Sequence, residues 1–205
     1  MKAKNKKLFE THLTSNWPWY LIYTLFAIFI WCYAVILVTK DKPKEVVTVW
    51  VMAYDINSND YVNYLEANKP EYLKHVRVTF ELKGNDYAST KYQGIGTSQD
   101  IVILPESFVK DYLDLTTLIE LDTDIINEKY GNQEYYYVNG KPYGIKVFDA
   151  IDEDNGYITY TKEDTTNESY YIFLNNKSLH MGNLNSSKYD GALEILRLLL
   201  DGSTL

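Results

Sequence analysis

The sequence predicts one membrane-spanning helix followed by a single α/β domain. Residues 17–39 contain no charge and, as a helix rising about 1.5 Å per residue, are long enough to cross a bilayer. Beyond them, apolar runs alternate with segments of helical spacing, an order typical of parallel strands joined by crossover helices. Two Asn-Gly pairs between strand-forming runs predict β-hairpins. We therefore expect a mainly parallel sheet flanked by helices, with added hairpins.

Aromatic rings stand near both ends of the apolar stretch. Trp17, Trp19 and Tyr23 lie at its start and Trp31 and Tyr33 towards its end, as in the aromatic belts of membrane helices. A buried helix of a soluble protein is the alternative, but such helices average about 11–12 residues. A cleaved signal peptide is disfavoured, because its apolar region spans about 7–15 residues and ends in small residues. We expect the helix to remain as a single-pass anchor.

Charge divides the chain into two parts. Residues 1–44 carry seven lysines against two acidic residues, which leaves 13 basic and 26 acidic residues for 45–205. The basic tail, residues 1–16, is predicted to be cytoplasmic by the positive-inside rule. Residues 40–45 then form a tether, and 46–205 an acidic extracellular domain of a cell-membrane protein. Such a surface argues against a nucleic-acid partner, because phosphate contacts need lysine and arginine.

The first half of the outer domain follows a strand–helix order. The apolar run 46–54 is typical of a strand buried on both faces, and Asn57 or Ser58 can cap the helix after it. The alternating run 75–82 predicts a second strand, near a sheet edge. Ile101–Leu104 predicts a third, buried strand, with another helix behind it.

The second half is predicted to be richer in β-structure. Asn139-Gly140 lies between two strand-forming runs and is the strongest hairpin signal in the chain, and Asn155-Gly156 predicts a second hairpin. Residues 168–182 read as a strand and a loop. Residues 189–202 have the spacing of a buried helix, which Gly202 ends.

Motifs for a metal, a cofactor or catalysis are not supported. A calcium loop centred on Gly156 would place Ile151 and Lys162 where carboxylates are needed. Gly94 and Gly96 lack the third glycine of a phosphate-binding loop, so we expect an ordinary loop there. The three histidines share no metal spacing and have no G-x-S-x-G serine. We expect no cofactor and no enzymatic activity, a carboxylate-based hydrolase being the enzymatic alternative.

The cysteine and tyrosine content limits the kinds of site that the outer domain can contain. Cys32, the one cysteine, lies in the apolar stretch, which excludes a disulfide or thiolate site in the outer domain. The bulky Ile30 and Trp31 before it do not suit bacterial lipid attachment. Tyrosine makes up 20 of the 205 residues. These rings offer flat faces for a sugar or a partner, with strand packing as the alternative for each ring.

Several runs together resemble the extracellular solute-binding proteins of ABC importers, particularly the sugar-binding type. Residues 46–54 are similar to the family's VTVW-like opening strand, and Gly140–Lys146 to its GKxYGIP hairpin. The DIVILP strand also fits, and Tyr170–Leu200 is similar to the family's strand, Asn-Lys or Asn-Ser loop and closing helix. Lys146 departs from the pattern, because it replaces the proline of YGIP and leaves a backbone donor in that strand.

The resemblance implies a single lobe of such a protein. In the family, the chain leaves the first lobe after the YGIP-like strand, builds a second lobe and returns. Here only the nineteen residues 150–168 separate exit from return, which is enough for a hairpin and too few for a lobe. The chain would therefore lack the hinged half that closes over a ligand.

The binding edge of such a lobe would lie at the carboxyl ends of the parallel strands. Asp55 has an alternative role beside a helix cap, and Glu106 has one at a helix N-terminus. The candidates for binding a ligand or a partner, one of them a tyrosine of the hairpin, are Tyr54, Asp55, Glu106, Ser107, Phe108, Tyr143, Phe148 and Asp149.

These expectations combine into one predicted function. A membrane-tethered, non-enzymatic lobe would dock on an ABC-transporter permease or another membrane protein as an accessory subunit. The alternative is direct, weak capture of a small solute, such as a sugar, on the exposed edge. The uncut helix would replace the lipid-bearing cysteine that usually holds such proteins in single-membrane bacteria, and would raise the effective concentration of a weak contact.

Overall fold

A computed structural model gives the fold of the 205-residue chain. The chain divides into two compact units, Met1–Asp41 and Lys42–Leu205. The structure describes residues 2–56, 58–84, 86–148, 158–159, 168–178, 180 and 191–202.

The first unit is built on one long helix, α1 (Lys2–Thr39). Its part Asn16–Thr39 is 24 residues long and apolar enough to cross a membrane, a property that membrane anchors and signal sequences share. The hydroxyl of Thr24 donates a hydrogen bond to the carbonyl of Tyr20 at 2.8 Å, so this polar group is satisfied within the helix. The predicted apolar helix of membrane-spanning length is thus confirmed.

The second unit contains strands and shorter helices in alternation. Its strands are β1 (Val46–Ala53), β2 (Asp55–Ile56), β3 (His75–Leu82), β4 (Ile101–Pro105), β5 (Tyr135–Val138), β6 (Lys141–Phe148), β7 (Ile158–Thr159) and β8 (Tyr170–Leu174). Its α-helices are α2 (Ser58–Asn68), α3 (Ala88–Gly94), α4 (Glu106–Tyr112), α5 (Thr123–Tyr130) and α6 (Gly191–Gly202).

Six of these strands form one sheet in the order β3-β1-β4-β8-β6-β5. β1 pairs in parallel with β3 and β4, whereas the pairing from β4 across β8, β6 and β5 is antiparallel. The predicted α/β class is confirmed, and β3 is an edge strand as expected. The expectation of a mainly parallel sheet is corrected to a mixed one, because β8, the last of the described strands, enters between β4 and β6 in the opposite direction.

Helices pack on both faces of the sheet. Successive residues of a strand point to opposite faces, so β1 contributes to two cores. Val49 and Val51 belong to the core that contains residues of α2, α5 and α6. Trp50 and Met52 belong to the core that contains residues of α3 and α4. The prediction that the first strand is buried on both faces is confirmed.

The segment around Gly94 and Gly96 was expected to be a loop, and this is wrong. It contains α3 and a short 3-10 helix, Gly96–Ser98. Tyr92 is fully buried there, 5.7 Å from Trp50 between ring centres, and burial raises the pKa of its phenol to about 12. A Cβ on Gly96 would lie 2.5 Å from the Tyr92 ring. This buried aromatic contact anchors a segment whose composition is polar.

The hairpin predicted at Asn139-Gly140 is confirmed between β5 and β6. Asn139 has φ 51° and Gly140 has φ 78°, the left-handed pair that tight hairpins favour. The second predicted hairpin turn, Asn155-Gly156, lies outside the described residues. β7, the strand that follows it, pairs with β2 in a separate two-stranded sheet.

Hydrogen bonds of buried polar side chains connect the segments at the amino ends of β1 and β4. The Asp100 carboxylate accepts hydrogen bonds from the Thr48 backbone N–H at 2.7 Å and the Thr48 hydroxyl at 2.8 Å. Its other oxygen accepts from the Ser178 hydroxyl at 2.5 Å. Nearby, a ring nitrogen of the buried His180 lies 2.8 Å from the carbonyl of Pro43. Asp100 therefore joins β1, the turn before β4 and the loop after β8.

Gly144 offers a test of how closely the strands pack. A Cβ at this position would lie 2.7 Å from the Phe173 ring, so we expect Gly144→Ala to lower the free energy of unfolding by about 1–3 kcal/mol. Gly94→Ala is the matched control, because nothing lies within 4 Å of its added Cβ and alanine suits a helix better, by about 0.5–1 kcal/mol. Urea unfolding of the detergent-solubilised chain measures both, and equal stability of the two variants would contradict the packing.

Candidate functional site

The register of the sheet brings the ends of five strands to one side. Leu82 lies beside Ala53 at the ends of β3 and β1. Pro105, Tyr170 and Phe148 lie side by side where β4 ends, β8 begins and β6 ends. Because β1 and β4 are parallel neighbours, these residues form one continuous row, which we call the strand-end edge.

Most of the predicted site residues gather at this edge. Tyr54 and Asp55 follow β1, and Glu106 and Ser107 follow β4 as the first residues of α4. Phe148 ends β6 there and is buried. Asp55, with its side chain exposed, and Ser107, also exposed, are the most accessible of the five.

The other three candidates are placed differently. Phe108 is 8% exposed and belongs mainly to the core beneath α4. Tyr143 lies near the start of β6, away from the strand-end edge, where it packs against the same core as Phe108. Asp149 lies outside the described residues. The structure therefore places Tyr143 against the same core as Phe108 but not at the strand-end edge.

Lys83 and Glu168 form an ion pair at the strand-end edge, with side chains only 15% and 12% exposed. The second carboxylate oxygen of Glu168 accepts a hydrogen bond from the Ser107 backbone N–H at 2.7 Å. The Lys83 ammonium lies 5.2 Å from the ring centre of Tyr54 and 5.8 Å from that of Tyr170. Burial lowers the pKa of Lys83. We call this pair the clasp.

The clasp joins three parts of the edge that are distant in sequence. Lys83 follows β3, Ser107 begins α4, and Glu168 precedes β8. The Glu106 backbone N–H also donates to the Ser169 carbonyl at 2.9 Å, which fixes α4 against the segment that leads into β8. Lys83 follows a parallel strand as Tyr54 does, so the strand-end rule was sufficient to find it. Glu168 gives no local signal, because its position depends on where β8 enters the sheet.

A cleft of about 440 Å³ opens beside the clasp, between α3 and α4. Its volume falls in the range of about 300–1,000 Å³ that small-molecule sites occupy. Among the described residues, no group of three metal-binding side chains is present. The lining of the cleft includes two of the predicted candidates and four residues that were not predicted, namely Ser107, Phe108, Lys83, Asp86, Asp111 and Tyr112.

No family model and no curated protein matches the chain. Among solved structures, the chain is similar to a eukaryotic thiaminase-I bound to the thiamin analogue 3-deazathiamin, at 18% sequence identity and a TM-score of 0.33. The match covers 50% of this chain and 31% of the thiaminase chain. At this level of similarity the match gives this chain neither a reaction nor a ligand.

The expectation that the chain has no enzymatic activity is nevertheless corrected. The thiaminase is an enzyme, so this comparison does not bear out the expectation, and at this level of similarity it assigns the chain no reaction. The resemblance to solute-binding proteins is independent of this match and stays a prediction.

Removing one partner of the clasp tests its contribution to stability. Glu168→Gln leaves the largely buried Lys83 ammonium without its counter-charge, and we expect the free energy of unfolding to fall by about 3 kcal/mol. Replacing both partners, as Lys83→Met with Glu168→Gln, should recover part of this loss because the buried charge is gone.

Glu134→Gln is the control for the clasp variants, measured by the same urea unfolding. Glu134 pairs with Lys146 but is 74% exposed, so its loss should cost less than about 1 kcal/mol. A Glu168→Gln variant as stable as this control would show that the clasp does not hold the edge together.

Proposed function

We propose that the chain is a membrane-anchored extracytoplasmic protein related to the solute-binding proteins of ABC importers. In this proposal it works by docking its strand-end edge on a transporter permease or another membrane protein. The observation that carries the proposal is the direct pairing of β6 with β8, which places Phe148 beside Tyr170 at that edge.

The pairing supports a single-lobe architecture. The resemblance predicts that the chain leaves the lobe after the strand of the YGI motif and returns in a strand followed by an asparagine loop. β6 holds Tyr143, Gly144 and Ile145, and β8 runs into Asn175 and Asn176. Because exit and return are neighbours in one sheet, a short excursion between them is sufficient.

The helix at the start of the chain supports permanent attachment to a membrane. Asn16–Thr39 has the length and composition of a spanning segment, and the lysines of residues 2–7 favour a cytoplasmic N-terminus. Tethering in the same membrane as a partner raises the effective concentration of a weak contact without adding affinity. A lobe that docks through one edge benefits from this arrangement.

Capture of a small solute, such as a sugar, is the second candidate function. The cleft between α3 and α4 favours it, because it lies at the strand-end edge and has the volume of a small-molecule site. The two candidate functions share the same edge, and they differ in whether a protein or a small molecule covers it.

Site-specific cross-linking in the native membrane tests docking. A photo-reactive residue at the exposed position of Asp55 should cross-link to a second membrane protein, because this position lies at the strand-end edge. The control is the same residue in place of the exposed Lys177, which lies at the amino ends of the strands and should give no such product.

Cross-links of equal yield from both positions would contradict docking through this edge. Co-purification from gently solubilised membranes provides a second measurement. Recovery of the protein without a partner at every detergent strength would argue against the docking function as a whole.

A further inference from the structure

We infer that the cleft beside the clasp is a binding site for an organic cation, such as a quaternary ammonium group. The inference rests on the second candidate function, solute capture at the strand-end edge, and it replaces a neutral sugar by a cation as the ligand class. It is independent of docking on a membrane partner.

The carboxylates of the cleft are the first observation. Asp86 and Asp111 both line it and are exposed, and neither has an ion-pair partner among the described residues. The lysine in the lining, Lys83, is already neutralised by Glu168. The cleft therefore has an excess of two negative charges, which favours a cation and disfavours an anion.

Aromatic rings in the same lining are the second observation. Phe108 and Tyr112 lie 4.8 Å apart between ring centres, and Tyr112 is 45% exposed. Ring faces attract cations through their quadrupole, and quaternary ammonium ligands are bound in this way. Lys83 provides an example in this molecule, since its ammonium lies against the rings of Tyr54 and Tyr170.

The net negative charge of residues 45–205 also favours a cationic ligand. Residues 45–205 contain 26 acidic and 13 basic residues, a field that attracts small cations to the surface. A neutral sugar gains nothing from this field, and the two carboxylates attract it only by accepting hydrogen bonds from its hydroxyl groups. The combination of free carboxylates, an exposed ring and an open cleft is thus better suited to a cation.

The test uses the full chain in a non-ionic detergent, with choline as the probe. The comparison ligand is dimethylbutanol, the isostere in which a carbon replaces the quaternary nitrogen. Ligand binding to the folded state raises the temperature of unfolding by mass action. We expect choline to raise it, and we expect the uncharged isostere, which has the same shape, to leave it unchanged.

Variants identify the site. Asp111→Asn should weaken choline binding about fivefold, and Tyr112→Leu about threefold, because each removes one attraction to the cation. Both side chains are exposed, so these variants should fold. Glu128→Gln is the matched control, since it removes one exposed carboxylate from α5, outside the cleft lining, and should leave choline binding unchanged.

Three results would overturn the inference. They are equal binding of choline and its isostere, equal choline binding by Asp111→Asn and Glu128→Gln, and no response to choline. If maltose binds while choline does not, the ligand class is wrong but solute capture stands. If neither maltose nor choline binds, both the cation inference and the solute-capture function are wrong. Docking is decided separately by the cross-linking from Asp55.

Discussion

The buried carboxylate of Asp100 joins three segments of the second unit that are distant in sequence. It accepts hydrogen bonds from both polar groups of Thr48 in β1 and from the Ser178 hydroxyl in the loop after β8. The same carboxylate therefore ties β1 to the turn before β4 and to the loop after β8. Because extended strands are stiff, fixing their amino ends also determines which residues emerge together at their carboxyl ends. The composition of the strand-end edge, at the opposite end of the sheet, therefore depends on these contacts.

At the strand-end edge, a largely buried ion pair has a similar role. The clasp of Lys83 and Glu168 holds the end of β3 to the segment entering β8, and its link to the Ser107 backbone positions α4. α4 in turn supplies Phe108, Asp111 and Tyr112 to the cleft. The same contacts thus organise a surface that a protein can cover and a cleft that a small molecule can enter.

Much of the fold was predictable because its signals are local. Apolar runs identified β1 and β4, the alternating run identified β3, and the Asn139-Gly140 turn identified the β5–β6 hairpin. α3 was not predictable, since its polar sequence is held by the burial of Tyr92 under tertiary contacts. The strand-end rule found much of the candidate site and applied equally to Lys83. The rule failed for Glu168, because the position of this residue depends on where β8 enters the sheet. Tyr143 was included only because it is an aromatic residue.

Hydrogen–deuterium exchange tests the central claim most directly, namely that the strand-end edge is the working surface. Exchange is compared between the chain in its native membrane and the chain purified alone in detergent. Docking through this edge predicts slower exchange in residues 54–56 and 106–112 in the native membrane, and no change in 175–178 at the opposite end of the sheet. Slower exchange in 175–178 with none at the edge, or identical exchange in both preparations, would contradict it.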